Sequence, residues 1–224
     1  VASAVKRRAL VIGASGGIGS ALEQAMNSRG DHVTGLSRSA DGLDITCERS
    51  ISSALTPYET PFDVVIIASG ILSGPEGPEK SISALKSENL ARLFAVNAIG
   101  PTLVLKHIKR LMPTDRPSAV VALSARVGSI TDNALGGWYA YRASKAALNQ
   151  IIKTASIEFK RSHKHLVCAA LHPGTVATPF TQKYPRHKMV SPSQAAENLL
   201  TVIDGLTSRD TGCFFDWSGQ TVDW

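Results

Sequence analysis

Cysteine is scarce in this chain. Cys47, Cys168 and Cys213 are odd in number and far apart, with no CxxC pair. That argues against a disulfide framework and leaves no metal-binding spacing, so reduced thiols and no metal site are expected. Long apolar runs are missing as well. The stretch "DVVIIASGIL" falls short of the roughly 18 residues a membrane span requires, so no membrane partner is expected. The opening "VASAVKRRALVIG" has no apolar h-region with a cleavage site, because "ALVI" reads straight into a glycine turn. The expected location is the cytoplasm. Charge is not gathered into any block: the net +6 is scattered over "KRR", "KHIKR", "FKRSHKH" and "KYPRHK", which reads as solvated faces. Nucleic-acid binding needs a motif as well as positive charge, and none is found. Repeats, low-complexity tracts and Pro/Gly/Ser linkers are absent too, which favours one domain over residues 1–224. With 43% hydrophobic and 19% charged residues the composition is that of a globular protein able to bury a substantial core.

What is present is an alternation. Short β-branched runs at 8–12, 32–36, 63–68, 119–123, 165–171 and 212–216 are separated by amphipathic stretches near 17–29, 87–111, 139–161 and 192–205. This βαβα rhythm, with strand interiors apolar on both sides, predicts an α/β Rossmann fold. The expectation is a doubly wound parallel sheet of about seven strands with helices on both faces. Between Ser39 and Pro61 there is room only for a stub of strand, "LDI", and one small helix. "SGPEGPEKS" (73–81) is a loop by composition, and so is the region around 172–190. The latter follows a strand end, where such sheets bind ligands, and a short substrate loop is expected around 179–190.

The first strand runs into "GASGGIG", which places Gly13, Gly17 and Gly19 before a helix with an apolar stripe of Ile18, Ala21, Leu22 and Ala25. Glycine permits the tight turn and lets the main chain approach a pyrophosphate resting on the helix N-terminus. Ser15, Gly16 and Ile18 belong to the same expected dinucleotide site. At the end of the second strand, Ser37 and Arg38 stand where the adenosine ribose is chosen. An arginine offers a planar fork to a 2′-phosphate, which favours NADP(H) over NAD(H).

"GGWYAYRASKAAL" offers two tyrosines just ahead of a lysine. Tyr141 and Lys145 share one helix face a turn apart, whereas Tyr139 would be paired with Ala143. A second Tyr-xxx-Lys, Tyr184 with Lys188, is broken by Pro185, which pushes the residue before it out of the helical region. A lysine ammonium and an oxidised nicotinamide beside the phenol would bring its pKa down toward working pH. Tyr141 is then expected to give a proton to a carbonyl oxygen receiving hydride, or to take one from an alcohol. Asn97 lies in the otherwise apolar "LFAVNAIGPTLVL". Pro101, four residues on, cannot donate to its carbonyl, so a kink is expected there that leaves the carbonyl free to hold a water.

With Gly13-xxx-Gly17-x-Gly19 followed by Tyr141-xxx-Lys145, the chain resembles the short-chain dehydrogenase/reductase family over nearly its whole length. It is most similar to the small carbonyl-reductase-like branch that includes the C-factor proteins. Asp44 in "LDIT", Asn97, and "HPGTVATP" from His172 to Pro179 match as well. The resemblance implies that Asp44 contacts the adenine edge and that Lys145 hydrogen-bonds the nicotinamide ribose. It also implies that Pro173, Gly174, Val176 and Thr178 lie on the nicotinamide, and that the Asn97 water leads to Lys145. A small carbonyl or alcohol substrate is implied, and so is a homodimer or homotetramer built on helices 87–111 and 139–161. Two departures stand out. The family's NNAG reads "IASG" here, so Ala68, Ser69 and Gly70 keep only the close backbone passage. In "VALSARVGS" the place of the family's substrate-binding serine is taken by Ala125. Either Ser124 serves after a shift of the loop, or Ser129 reaches in, or no hydroxyl is present; Ser124 is the favoured candidate. The altered serine keeps a second function in view, a cofactor-binding or signalling protein of low turnover.

Overall fold

The computed structural model describes residues 6–181 and 189–224. Its strands are β1 (Arg8–Ile12), β2 (His32–Leu36), β3 (Val64–Ile67), β4 (Ser118–Leu123), β5 (Leu166–His172) and β6 (Phe214–Asp216). They form a parallel sheet in the order β2-β1-β3-β4-β5-β6. The sheet thus has six strands among the described residues, where about seven were expected. The shortfall lies at "LDI". Leu43 and Ile45 are buried in the core, but Asp44 accepts from the Thr46 backbone N–H at 2.9 Å and from its hydroxyl at 2.7 Å. That local turn takes the place of a strand ladder.

Helices cover both faces. Alternate strand residues point to opposite sides, so Leu10, Ile12, Val65, Ile67, Val120 and Cys168 meet one layer while Ala9, Val11, Ile66, Val121 and Ala169 meet the other. The first layer holds α3 (Glu48–Leu55), α5 (Gly100–Ile108) and α6 (Tyr139–Phe159). The second holds α1 (Gly17–Ser28) and α7 (Pro192–Gly205), which pack against each other. Two short helices complete the set: α2 (Arg38–Asp41) and α4 (Ser87–Phe94). Among the described residues no helix is long and apolar enough to cross a membrane.

The helix expected over 87–111 runs on without a gap but is not α throughout. Between α4 and α5 the chain makes a π turn over Ala95–Ile99, and the Gly100 N–H reaches back to the Ala95 carbonyl. Pro101 lacks the N–H that an α-helix would require at that point, and the wider turn absorbs the missing bond. The strand order reverses at β1, with β2 on one side and β3 on the other. Loops leaving the carboxyl ends of β1 and β3 diverge there and open a crevice.

Candidate active site

A cavity of about 830 Å³ opens at those carboxyl ends. One wall is the turn after β1, Ser15 to Gly19, and beside it run Ala68, Ser69 and Gly70 after β3. Its floor is Pro173, Gly174, Val176 and Thr178 after β5. That stretch is held extended by Val190, which bonds Thr175 and Ala177 through its backbone at 3.0 and 2.9 Å. The turn is folded on itself so closely that a Cβ at Gly19 would collide with the backbone of Gly13. Gly13, at φ +92°, lies beneath Ser69, and its N–H bonds the Leu36 carbonyl of β2 at 2.7 Å. Gly16 precedes α1 without a side-chain cap, and no acidic residue stands in the first turn. The first N–H groups of that helix are therefore unclaimed by side chains.

The opposite wall comes from the end of β4 and the start of α6. Tyr141 and Lys145 line it, with 7% and 3% of their surface exposed. The Lys145 ammonium donates to the Leu123 carbonyl at 2.7 Å and lies 6.0 Å from the centre of the Tyr141 ring. Burial pushes the Lys145 pKa down to about 8. Burial also pushes the Tyr141 phenol up, the reverse of the shift expected from the neighbouring charge. The physical reason is packing. Tyr141 sits among Leu72, Leu93, Ala125 and Ala140, with Trp138 and Phe180 edge-on at 6.2 and 6.1 Å. Gly128 lets β4's exit loop lie directly on this helix, since a Cβ there would come within 2.8 Å of the Lys145 Cβ.

Asn97 is fully buried behind this wall. Its Oδ1 accepts from the Ile71 N–H at 2.8 Å, and its Nδ2 donates to the Ile71 carbonyl at 2.8 Å and to Ser144 Oγ at 3.0 Å. The π turn is thereby tied to the loop after β3 and to α6. A Cβ on Gly70 would stand 3.4 Å from Asn97 Oδ1 and 3.6 Å from Lys145 Nζ, so all three meet at one point.

Ser124 lines the cavity, and its hydroxyl donates to Asn149 Oδ1 at 2.6 Å. Ala125 is buried in the same apolar cluster as Tyr141. Ser129 is buried and accepts from the Asp132 N–H at 3.1 Å. Ser37, Arg38 and Asp44 lie outside the cavity at the carboxyl end of β2. The Ser37 side chain caps α2, accepting from the Ala40 N–H at 3.2 Å; Arg38 is exposed, and its charge helps Thr46 to hold the Asp44 carboxyl below its ordinary value. Tyr184, Lys188 and most of the expected substrate loop fall outside the described residues.

Several lining residues carry no motif. Arg126, Asp132, Leu135 and Arg142 are among them, as are Trp138 and Phe180. Asn149 continues the spacing of Tyr141 and Lys145 along α6, a signal that would have found it. Glu79, buried in the loop after β3, has no such signal. Its carboxylate accepts from the Ala140 N–H at 3.3 Å and its carbonyl from the Trp138 N–H, which fixes the start of α6. There Gly136, Gly137 and Trp138 all take positive φ, at +63°, +64° and +53°.

The family model described as enoyl-(acyl carrier protein) reductase matches residues 42–203. The chain is 29% identical to 1-hydroxy-2-glutathionyl-2-methyl-3-butene dehydrogenase of Rhodococcus sp. (strain AD45), over 96% of this chain and 98% of that one. It is 34% identical to the C-signal protein of Myxococcus xanthus, covering 73% of this chain and 93% of the relative. Among solved structures, an NADPH-bound carbonyl reductase from chicken fatty liver superposes with a TM-score of 0.80 at 24% identity, over 98% of this chain and 99% of that one.

Proposed function

The chain belongs to the short-chain dehydrogenase/reductase family, and from that premise we propose that it is an NADP(H)-dependent oxidoreductase of small carbonyl or alcohol substrates, with Tyr141 as general acid and base. One observation carries this reading: Tyr141 and Lys145 are buried together in a cavity whose other wall is the glycine turn. The residues suit a dinucleotide, because the uncapped first turn of α1 offers N–H groups to a pyrophosphate and a side chain at Gly17 would run into Thr178 across the cradle. In this reading Gly13 to Gly19 hold the pyrophosphate, Ser37 and Arg38 the 2′-phosphate, and Asp44 the adenine edge. Ala68, Ser69 and Gly70 pass close to the cofactor. Pro173, Gly174, Val176 and Thr178 hold the nicotinamide, and Lys145 its ribose.

When bound, NADPH supplies the hydride. Tyr141 gives its proton to the carbonyl oxygen as the carbonyl carbon is reduced. Burial favours the neutral phenol, so the proton to be given is present at neutral pH, as it is on an ordinary phenol. Lys145, charged below about 8, stabilises the phenolate that remains. Asn97 acts as a positioning residue, its carbonyl holding the water that returns a proton toward Lys145. Ser124 is the remaining hydroxyl for the substrate oxygen and must turn from Asn149 to serve. The exposed Ile99 and Ile157, on the helices expected to meet a second subunit, support a homodimer or homotetramer.

The experiment is to follow NADPH absorbance with a panel of ketones and aldehydes. Turnover in wild type that is lost in Tyr141→Phe supports the reading. Equal affinity for NADH and NADPH, unchanged in Arg38→Ala, would remove the cofactor preference. Ala125, which shares the buried cluster of Tyr141 and brings no hydroxyl there, favours a second reading: a low-turnover cofactor-binding or signalling protein, as the likeness to C-signal also suggests. Tight NADPH binding with no turnover of any carbonyl would decide for it.

A further inference from the structure

Beyond Tyr141 the cavity changes character. Its walls there are apolar, from Leu72, Ala125, Val127, Trp138 and Phe180, and three charged groups, Arg126, Asp132 and Arg142, also line it. Arg126 is poorly neutralised. Its Nη2 stands 3.5 Å from Asp216 Oδ2 and its Nε 3.8 Å from Asp132 Oδ2, the latter too long for a hydrogen bond. Asp216 keeps its charge: its Oδ1 accepts from Ser218 and Gln220, and its Oδ2 is the atom that faces Arg126. The Arg126 side chain is 47% exposed. Arg142 donates from Nε to the Gly137 carbonyl at 3.0 Å and from Nη1 to the Val127 carbonyl at 3.3 Å. Those carbonyls orient the guanidinium without cancelling its charge, and Asp132 is the carboxylate that acts on it.

The two guanidinium groups thus share Asp132 in the cavity wall, with Asp216 as a second carboxylate beside Arg126 outside the lining. His172 does not alter that balance, because burial, with Arg126 nearby, holds its pKa down to about 4 and the ring stays neutral at neutral pH. Lys145 adds a further positive charge beside Tyr141. An anionic group on the substrate would complete the set, and the planar fork of arginine suits a carboxylate.

We propose that the substrate is a carbonyl compound with an apolar body and a carboxylate, the carboxylate seated on Arg126 and Arg142 while the carbonyl meets Tyr141. The proposal rests on the carbonyl-reductase reading and adds to it the substrate class.

A matched pair of probes tests it: para-carboxybenzaldehyde and its methyl ester. Wild type should reduce the acid with a kcat/KM about fivefold or more above the ester, the scale of a partly exposed charge pair. Added salt should erode that preference, because the pair is screened. Arg126→Gln and Arg142→Gln should each move the acid-to-ester ratio toward one, while Arg126→Lys keeps most of it. A wild-type ratio at or below one overturns the proposal, as does a preference that survives in the Arg126→Gln/Arg142→Gln double variant. Calorimetry with para-carboxybenzyl alcohol and its methyl ester, on the NADP-loaded protein, makes the same comparison without turnover. If neither aldehyde consumes NADPH, the reductase reading fails, and the binding ratio alone decides the carboxylate.

Discussion

The two walls of the cavity are made of different material. The wall from Ser15 to Gly19, with Ser69 and Gly70, is mostly backbone: apart from Ile18 its residues are small, and the close packing of Gly19 on Gly13 demands a glycine there. The wall from Ala125 to Arg142 is made of side chains, aromatic, apolar and cationic, on a loop that needs three successive left-handed residues. A backbone wall offers N–H groups whose positions side-chain substitution barely alters, which suits a cofactor common to many reactions. A side-chain wall can be re-specified residue by residue, which suits the selection of a substrate.

Breaking the side-chain wall at the proposed general acid should have the largest effect. Tyr141→Phe is expected to lower kcat by about 10²–10⁴-fold while NADPH affinity, read by fluorescence, stays close to wild type. The backbone wall should fail in the opposite sense. Gly19→Val is expected to weaken NADPH binding by at least about tenfold in a titration, because its side chain would displace the Gly13 backbone. A smaller effect is expected from the buried cation. Lys145 has a folded-state pKa of about 8, below its ordinary value, so above that pH the unfolded chain binds the extra proton and stability rises with pH. Urea unfolding between about pH 8 and 10 should show a gain on the order of 2 kcal/mol that is missing in Lys145→Met. The smallest change sharpens the contrast rather than breaking it. Ala125→Ser, which restores a hydroxyl beside Tyr141, is expected to raise kcat by no more than about tenfold, measured in steady state on the best carbonyl of the panel.

The backbone wall was the legible one. A glycine pattern between an apolar strand and an amphipathic helix marks a turn by what it lacks, and the strand at Arg8–Ile12 and the helix at Gly17–Ser28 stand where the periodicity put them. The helix of Tyr141 and Lys145 was equally plain. "LDI" was not, because Leu43 and Ile45 would be buried either in a strand or in the turn they adopt. The break at Asn97 could be read from the N–H that Pro101 lacks; that it would be a π turn depended on the packing of Asn97 against Ile71 and Ser144. Arg126 and Arg142 gave no signal, since an arginine on a loop or helix start reads as a solvated face until the fold brings it to a cavity. The phenol's upward shift was invisible for a related reason. Spacing along a helix shows which residues are neighbours, but how much water reaches them depends on distant segments such as the one carrying Phe180.

A π turn holds one residue more than an α-helix of the same rise. Between Ala95 and Ile99 the wide turn takes up that surplus residue, so the helix that follows keeps its rotational phase. Forced into α geometry with no residue removed, the segment would turn α5 by about 100° about its axis. Val104, Leu105 and Ile108 would swing out of the core they now fill. The wide turn, as much as the identity of the residues after it, therefore keeps the apolar face of α5 on the sheet.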